Sequence, residues 1–295
     1  MGEVKLAYTN SDERGVQEVR TQMDPLSELR NQILQLLCNR LSDNSILVMQ
    51  EELQLMQRSS YYLEVHSVNL LPTADEQQYT VWYLTDPRRK RCAMTLANTQ
   101  VRLLLSFLGL LYKEIIRGCR ELEAFIKKYD QGLVDSEMAA SMRKRLQQTQ
   151  QYMYKFESRL TRNLRPLDLQ NMLIPNTGIF PMQQFSASLA IKMPVVFKRL
   201  ESRATSNSVH LSWEIAGKQS NELNQQFEIH VTSLHPTVAE PDQFSISTCQ
   251  SYNIQFTNLT PDTCYMFSVK RADAVNLVYE LWSDSIMLKT LDISK

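Results

Sequence analysis

The chain has 295 residues, 43% of them hydrophobic and 22% charged, and its 32 basic residues balance 32 acidic ones. This composition is typical of a globular protein of about two domains and excludes a largely disordered chain. A nucleic-acid-binding domain usually carries a basic surplus, so the zero net charge gives no support to a nucleic-acid partner, and we expect none.

Neither the N-terminus nor the cysteines indicate secretion. Residues 1–22 are polar and aperiodic, lack the apolar core of a signal peptide, and are expected to be disordered. The five cysteines are scattered and never form a C-x-x-C pair, as in reduced intracellular proteins. The longest apolar run, residues 103–112, has about half the length that a membrane-spanning helix needs. We therefore expect a cytoplasmic protein without a membrane partner; a cytoskeletal or ciliary location stays open, and a nuclear one is less favoured.

An all-α helical domain is predicted over residues 23–165. Asp24 can cap a first helix that begins at Pro25, a position where proline fits well. A break at residues 41–45 precedes a second helix, whose apolar residues recur at three and four positions and define one buried face. Two stretches richer in aromatic and β-branched residues are predicted to be short extended segments: residues 59–65 and 80–84.

Two long helices follow, joined by a short link. The first is predicted from about Ala97 to Asp130, where Gly132 can end it, and the second from about Asp135 to Pro166. Apolar residues alternate at spacings of four and three along both helices, which is the heptad pattern of coiled coils. The two helices are predicted to form a long antiparallel hairpin. Its seam can pack within the chain or pair with another chain; the first helix is apolar on several faces, which favours packing within the chain.

One dense basic run precedes the first long helix: Arg88, Arg89, Lys90 and Arg91. Such a run can be a nuclear-import or nucleic-acid patch. It lacks interleaved aromatic residues, and four charges neutralise few phosphates. A solvated start of the following helix is therefore the favoured interpretation, and the run is kept as a candidate partner-binding site.

Residues 166–192 form a connector that is apolar rather than flexible. Three prolines are interspersed with Met, Leu and Phe, whereas a flexible linker is rich in Gly and Ser or in charge. We predict that the connector packs against both domains and holds them in a fixed relation. Rapid proteolytic cutting between Asn171 and Gln184 in the intact protein would contradict this prediction.

From Met193 the apolar period changes to two, the period of strands with one buried face. About seven short alternating segments follow in residues 193–292, separated by turn residues, and this pattern predicts a β-sandwich. Trp213 is expected to fill the space between the two sheets. The other predicted core residues lie in one run of turn and strand: Leu259, Pro261, Tyr265, Phe267 and Val269. Pro261 fixes φ in the turn, and the hydroxyl of Tyr265 can bond to the backbone of that corner.

The C-terminal residues resemble the fibronectin type III family. Three elements match its pattern: the Trp213 strand, the run from Leu259 to Val269, and Leu288-x-Thr290. One departure is Arg271, where the family commonly has a small residue. Three further strings resemble the fibronectin type III domain-containing proteins, helical half included: residues 60–65, 192–197 and 267–285. The resemblance implies an α+β multidomain protein, with a helical domain before a β-sandwich, and a role without catalysis.

No catalytic, cofactor or metal motif rises above background. The sequence has no Gly-rich phosphate loop and no G-x-S-x-G or H-E-x-x-H motif, and its four histidines are spread out. His210 and His230 alternate with apolar strand residues and should face outward. We therefore expect no enzyme, no cofactor and no metal site.

Surface recognition remains as the expected function. The segment from residue 272 to residue 282 is predicted to connect two strands at one end of the sandwich, and its exposed Tyr and Trp would be favoured interface anchors. The candidate partner-binding residues in it are Val278, Tyr279 and Trp282. Alternatively, these side chains close the end of the domain or contact the helical half.

Two hypotheses for the whole protein stay open at this point. The leading one is a non-enzymatic intracellular scaffold that binds other proteins through the helical hairpin and the sandwich surface. The alternative is a structural component of a cytoskeletal or ciliary microtubule assembly. The sequence leaves the oligomeric state and the identity of the partners open.

Overall fold

A computed structural model describes residues 24–67, 87–160, 185–217, 225–234 and 244–292. Within these ranges the chain forms four helices and ten strands. The helices and one pair of strands make up an N-terminal half, and eight further strands make up the C-terminal sandwich. The predicted α+β architecture is confirmed.

Helices α1 (Pro25–Asn39) and α2 (Asp43–Arg58) begin at capping side chains. The carboxylate of Asp24 accepts a hydrogen bond from a backbone N–H of the first turn of α1, at 3.4 Å. The hydroxyl of Ser42 accepts one from the N–H of Ser45 in α2, at 3.3 Å. Each cap satisfies one of the backbone donors that the start of a helix leaves without a partner, which is why both helices begin at these residues.

Helices α3 (Pro87–Asp130) and α4 (Ser136–Arg159) form the predicted antiparallel hairpin. Helix α3 begins ten residues before the predicted start, because proline is tolerated in a first helical turn, where its missing N–H would have had no intrahelical partner. The basic run therefore lies in the first turns of α3 itself. Gly132 ends the helix region with a φ of 72°, the left-handed conformation that favours glycine after a helix.

The hairpin packs along the predicted inner seam, within one chain. The buried seam residues of α3 come from the predicted heptad positions: Leu108, Leu111, Ile115, Leu122 and Phe125. Helices α1 and α2 pack against the same core. Because one continuous cluster of apolar side chains joins all four helices, the seam needs no second chain to bury it.

A two-stranded antiparallel sheet belongs to the N-terminal half. Strand β1 (Ser60–Ser67) pairs with β2 (Phe185–Lys192), with Tyr62 opposite Ala190. The sequence predicts an extended segment at β1 but assigns residues 185–192 to the connector, whereas they form a strand. Residues 166–184 of that connector lie outside the described residues, as do residues 80–84 and 1–22, so the predictions for them stay predictions.

The sandwich consists of two antiparallel sheets. Its strands are β3 (Val195–Phe197), β4 (Arg203–Ala204), β5 (Val209–Ile215), β6 (Phe227–Ser233), β7 (Phe244–Cys249), β8 (Asn253–Phe256), β9 (Cys264–Arg271) and β10 (Asp284–Lys289). One sheet has the strand order β10-β9-β6-β7, and in the other β5 pairs with β3, β4 and β8. Every second residue along these strands is buried and points to the inward face of its sheet, as the sequence predicts.

Trp213 lies at the centre of the sandwich core and is 1% exposed. Its ring packs edge-on against Phe197 and Phe227, at centroid distances of 6.3 and 5.7 Å. The buried hydroxyl of Tyr265 accepts a hydrogen bond from the backbone N–H of Thr260 at 2.9 Å, which is the corner bond that the sequence suggests. Of the other predicted core residues, Phe267 and Val269 are buried. Leu259 and Pro261 are half-buried.

Candidate interaction surfaces

The loop between β9 and β10, residues 272–283, pairs with the free edge of β1. The N–H of Leu63 donates to the carbonyl of Asn276 at 2.9 Å, and the N–H of Val278 donates to the carbonyl of Tyr61 at 2.7 Å. Since β2 occupies the other edge of β1, the loop acts as a short third strand of that sheet. The loop contacts both β1 and α3, and we call this contact region the junction.

Local bonds hold the loop in the shape that the junction needs. The side chain of Asp273 accepts a hydrogen bond from the N–H of Val275 at 3.0 Å, the turn that aspartate commonly makes with its own backbone. Asn276 has a φ of 59°, in the left-handed region that asparagine tolerates better than most residues. The loop therefore presents its edge to β1 with a conformation set largely by its own sequence.

Aromatic side chains fill the junction. The ring of Tyr279 packs edge-on against that of Tyr61, with centroids 6.0 Å apart, and the guanidinium of Arg102 on α3 lies 5.9 Å from the Tyr279 centroid. The guanidinium of Arg58 lies 5.4 Å from the ring of Trp282. Burial raises the pKa of Tyr61, and the neighbouring Tyr279 adds to that rise, so the hydroxyl stays protonated and donates to a backbone carbonyl of α2.

Polar contacts close the junction on both sides of the loop. Asn98 on α3 donates a side-chain hydrogen bond to the carbonyl of Val278, and the hydroxyl of Tyr62 donates to the carbonyl of Asp273 at 2.9 Å. The ammonium of Lys192 lies 3.5 Å from the carboxylate of Asp273. As a result the backbone of the loop has hydrogen-bond partners on α3 and β1, and the side chain of Asp273 has an ion-pair partner on β2.

Arg271 ties the end of β9 to the first residue of the sandwich. Its side chain is 2% exposed and donates to the side-chain carbonyl of Gln225 and to the backbone carbonyl of Met193, the latter at 3.1 Å. Met193 stands between β2 and β3, where the chain passes from the N-terminal half into the sandwich. The departure from the usual small residue at this position therefore ties the end of β9 to that passage.

The outer face of the β10-β9-β6-β7 sheet exposes three apolar side chains, which we call the sheet patch: Ile246, Met266 and Met287, with exposed fractions of 53%, 38% and 71%. Met266 and Met287 stand directly opposite each other on β9 and β10. Unbranched methionines adapt to varied partner shapes, and exposed apolar clusters mark interaction sites. The sequence analysis did not identify this patch, although alternation with buried Phe267 and Val269 was a signal for it.

Charged side chains border the sheet patch. Glu228 accepts a hydrogen bond from Lys270 on β9, with the nitrogen and oxygen 2.8 Å apart, and it contacts the ring of His230. The bond from Lys270, followed by the one from His230, holds the pKa of Glu228 below its ordinary value. Ile246 on β7 stands opposite His230 of β6, so a polar side chain lies between it and the methionine pair on β9 and β10.

The residues predicted to bind partners lie at two separate places. Val278 is buried in the junction, with Tyr279 and Trp282 half-buried beside it, in agreement with the alternative that they contact the helical half. Binding of a second protein through them stays a prediction.

In the basic run, Arg88 and Arg91 are exposed, and burial lowers the pKa of half-buried Lys90. The junction contact of Asn98 was not predicted, because Asn98 belongs to no motif; Arg271 was noted as a departure from the family pattern, without its contacts.

The described residues contain neither a metal cluster nor an arrangement typical of catalysis. No group of three or more His, Cys, Asp or Glu side chains in that part of the chain could hold a metal ion. An open groove of about 800 Å³ lies between α1 and α4, and its lining consists mainly of amides and aliphatic side chains with one acid, Glu28. Such a lining offers hydrogen bonds but no nucleophile and base in the usual combination.

Helix α3 is the one described helix that is long and apolar enough to cross a membrane, judged by length and composition alone. The core helix of a soluble protein passes the same test, so this is weak evidence for a membrane span. Only 28% of the most apolar window in Lys90–Asp130 is buried, however, so α3 also exposes apolar side chains.

Comparison with known proteins agrees with this architecture. Residues 192–294 match a family of unknown function (DUF5581), described as an Fn3-like domain. The chain is similar to "Fibronectin type III domain-containing protein 11" of Bos taurus, with 29% identity over 89% of this chain and 79% of the relative. The Homo sapiens protein of the same name is 27% identical over 90% of this chain and 83% of the relative. The resemblance suggested by the sequence is therefore confirmed, helical half included.

A solved structure, the fn3 domain of human contactin 1, is 22% identical and covers 34% of this chain and 79% of its own, with a TM-score of 0.25. None of these matches indicates a catalytic family. Fn3-like domains are in general protein-interaction modules, which is consistent with protein partners.

Proposed function

We propose that this protein is a non-enzymatic intracellular scaffold that binds other proteins. The observation that carries the proposal is the junction, in which the loop of the sandwich completes the β1–β2 sheet of the helical half. Two domains joined only by a flexible linker would present their surfaces in no fixed relation. Here backbone hydrogen bonds, edge-on aromatic rings and buried Arg271 support one composite body, in which the helical hairpin and the sandwich surface would stand in a fixed relation.

The sheet patch is the proposed protein-binding face of the sandwich. Met287 is the most exposed of its three apolar residues, at 71%, and an interface that covers it would remove apolar surface from water. The location of the protein is proposed to be cytoplasmic, with a cytoskeletal site of action included.

Proximity labelling in cells, followed by capture on the purified full chain, tests the proposal. The wild-type chain should enrich a small, reproducible set of proteins, and Met287→Glu should lose them with an unchanged melting temperature. Leu200→Glu is the matched control, because Leu200 is 93% exposed in the turn between β3 and β4 and is not one of the three patch residues.

Failure to enrich any protein, or equal capture by wild type and Met287→Glu, would contradict the proposed role of the sheet patch. Polymerised tubulin provides the second arm. Co-sedimentation with microtubules in the absence of a defined set of captured partners would favour the structural role in a cytoskeletal or ciliary assembly over the scaffold.

A further inference from the structure

Helix α3 concentrates positive charge in a chain whose net charge is zero. Its 44 residues include ten basic and four acidic side chains. Five of the basic residues are exposed and stand 11, 11, 7 and 7 residues apart along the helix. We call these five residues the basic row: Arg91, Arg102, Lys113, Arg120 and Lys127. The first of them is also the last residue of the basic run.

These spacings place the basic row on one side of α3. At about 3.6 residues per turn, 11 residues are close to three turns and 7 residues are close to two, so the five side chains lie within about 40° of one another around the helix. The row is about 54 Å long, at about 1.5 Å per residue. The buried residues of the inner seam, such as Ile115 and Leu122, lie on the other side of the helix.

The acidic residues of α3 are directed to neighbouring groups and not to the basic row. Glu114 and Glu121 contact Arg145 of α4, with distances between nitrogen and oxygen of 3.7 and 2.6 Å. Asp130 contacts Arg30 of α1 at 3.1 Å. The fourth acid accepts a hydrogen bond from a buried thiol of the same helix. Within the described residues, no carboxylate forms an ion pair with a member of the row, so its charge is available to a partner of opposite sign.

The basic row is open to solvent along its length. Gly109 lies on the same side of α3, between Arg102 and Lys113, and a Cβ atom there would have no neighbour within 4 Å. Thr95 and Ala124, which stand between other members of the row, are exposed. The residues between the cations are therefore small, and an extended chain has room to lie along this side of the helix.

We propose that the basic row binds an acidic segment of a partner protein, which lies in an extended conformation along α3. An acidic run is extended because its charges repel one another. At about 3.3 Å per residue, about 16 residues span the row, and about one carboxylate in every three to five residues meets its cations. This inference rests on the scaffold role proposed above, and it names the chemistry of a partner for the helical hairpin.

Two other kinds of polyanion fit the row less well. Single-stranded nucleic acid is commonly held by aromatic side chains on which its bases stack, whereas the residues between these cations are small. A flat anionic membrane would also approach Glu114 and Glu121, which flank the row at about 100° around the helix. An extended polypeptide is narrow enough to follow the row without meeting either carboxylate.

Fluorescence anisotropy of labelled glutamate peptides, titrated with the purified full chain, tests the proposal. A peptide of about 20 residues should bind saturably, and one of about 8 residues should bind more weakly because it spans only about half of the row. A lysine peptide should not bind. Molar salt should abolish binding of the glutamate peptides, since it shortens the Debye length to about 3 Å.

Paired substitutions separate the basic row from charge in general. Lys113→Gln with Arg120→Gln removes two members of the row and should weaken binding of the longer peptide about fivefold to tenfold. Lys144→Gln with Arg203→Gln is the matched control, because both residues are exposed, on α4 and β4, and the net charge changes equally. The control should bind as the wild type does, and both double variants should keep the wild-type melting temperature.

Three results would overturn the proposal. The first is no saturable binding of the longer peptide at low salt, and the second is equal weakening in the two double variants. The third is binding of a single-stranded oligonucleotide or of phosphatidylserine vesicles that depends on the row, without binding of the glutamate peptide. Met287→Glu should bind the peptide as the wild type does, so that failure of the basic row and failure of the sheet patch are distinguishable.

Discussion

Gly118 marks the closest approach of α3 to α4, and a single methyl group there should separate the two helices. A Cβ atom at residue 118 would lie 2.2 Å from the hydroxyl oxygen of Thr149 and 3.0 Å from its methyl carbon. A Cβ atom at Gly109, on the same helix, would have open space around it, with no neighbour within 4 Å. The two glycines therefore form a matched pair for substitution by alanine.

The expected sign follows from two opposed magnitudes. Alanine in place of glycine inside a helix stabilises it by about 1 kcal/mol. Overpacking a closely packed core costs about 1–3 kcal/mol, and a contact of 2.2 Å requires either the Thr149 side chain to turn or α4 to move. Gly109→Ala should raise the free energy of unfolding by up to about 1 kcal/mol, whereas Gly118→Ala should lower it by about 1–2 kcal/mol.

Urea denaturation followed by far-UV circular dichroism measures both changes. Thr149→Ala removes the atoms that collide with the new methyl group, and among the described residues the hydroxyl that is lost bonds to the carbonyl of Arg145, within α4. The double variant Gly118→Ala with Thr149→Ala should therefore recover most of the lost stability, with a favourable coupling energy of about 1–2 kcal/mol. Equal stability of Gly118→Ala and Gly109→Ala would refute close packing of the inner seam.

Three further predictions concern the core, the thiols and acid stability. Trp213→Ala should cost roughly 3–5 kcal/mol out of a domain stability of about 5–15 kcal/mol, and near-wild-type melting would contradict the core assignment. Burial raises the pKa of the Cys119 thiol to about 11, so at mildly alkaline pH a thiol reagent should label exposed Cys38 rapidly and Cys119 only after unfolding; equal native labelling rates would be evidence against this burial. The hydrogen bonds from Lys270 and His230 lower the pKa of Glu228 from its ordinary value of 4.5. The stability that these bonds add is therefore fully present at a pH above about 4.5 and is lost as the pH falls below it. Melting of Glu228→Gln should accordingly be less sensitive to acid than that of the wild type.

Local chemistry explains which elements the sequence predicts well. Caps such as Asp24, the helix-ending Gly132 and the alternation around Trp213 depend on neighbouring residues alone, and the structure has the corresponding elements at those places. The predicted start of α3 is ten residues late, because Pro87 and the basic run interrupt the apolar periodicity. The spacing of apolar residues predicts the start of a helix poorly where the first helical turn is exposed to solvent.

The junction and strand β2 depend on contacts between distant residues, which no local pattern contains. Strand β2 pairs with a strand more than a hundred residues earlier in the sequence, so nothing near residues 185–192 marks them as paired. Likewise, Tyr279 has the same local sequence whether it contacts a partner protein or Tyr61. The sequence therefore offers both alternatives for the loop, and only the fold shows that Tyr279 contacts Tyr61.

The central claim is that the helical half and the sandwich form one fixed body, and hydrogen exchange at two amides tests it most directly. The N–H groups of Leu63 and Val278 donate across the junction, so only the docked arrangement protects them. In the native protein both should exchange nearly as slowly as amides in the core strand β9, such as that of Phe267. Fast exchange at Leu63 and Val278 while Phe267 stays protected would show that the two halves are merely tethered.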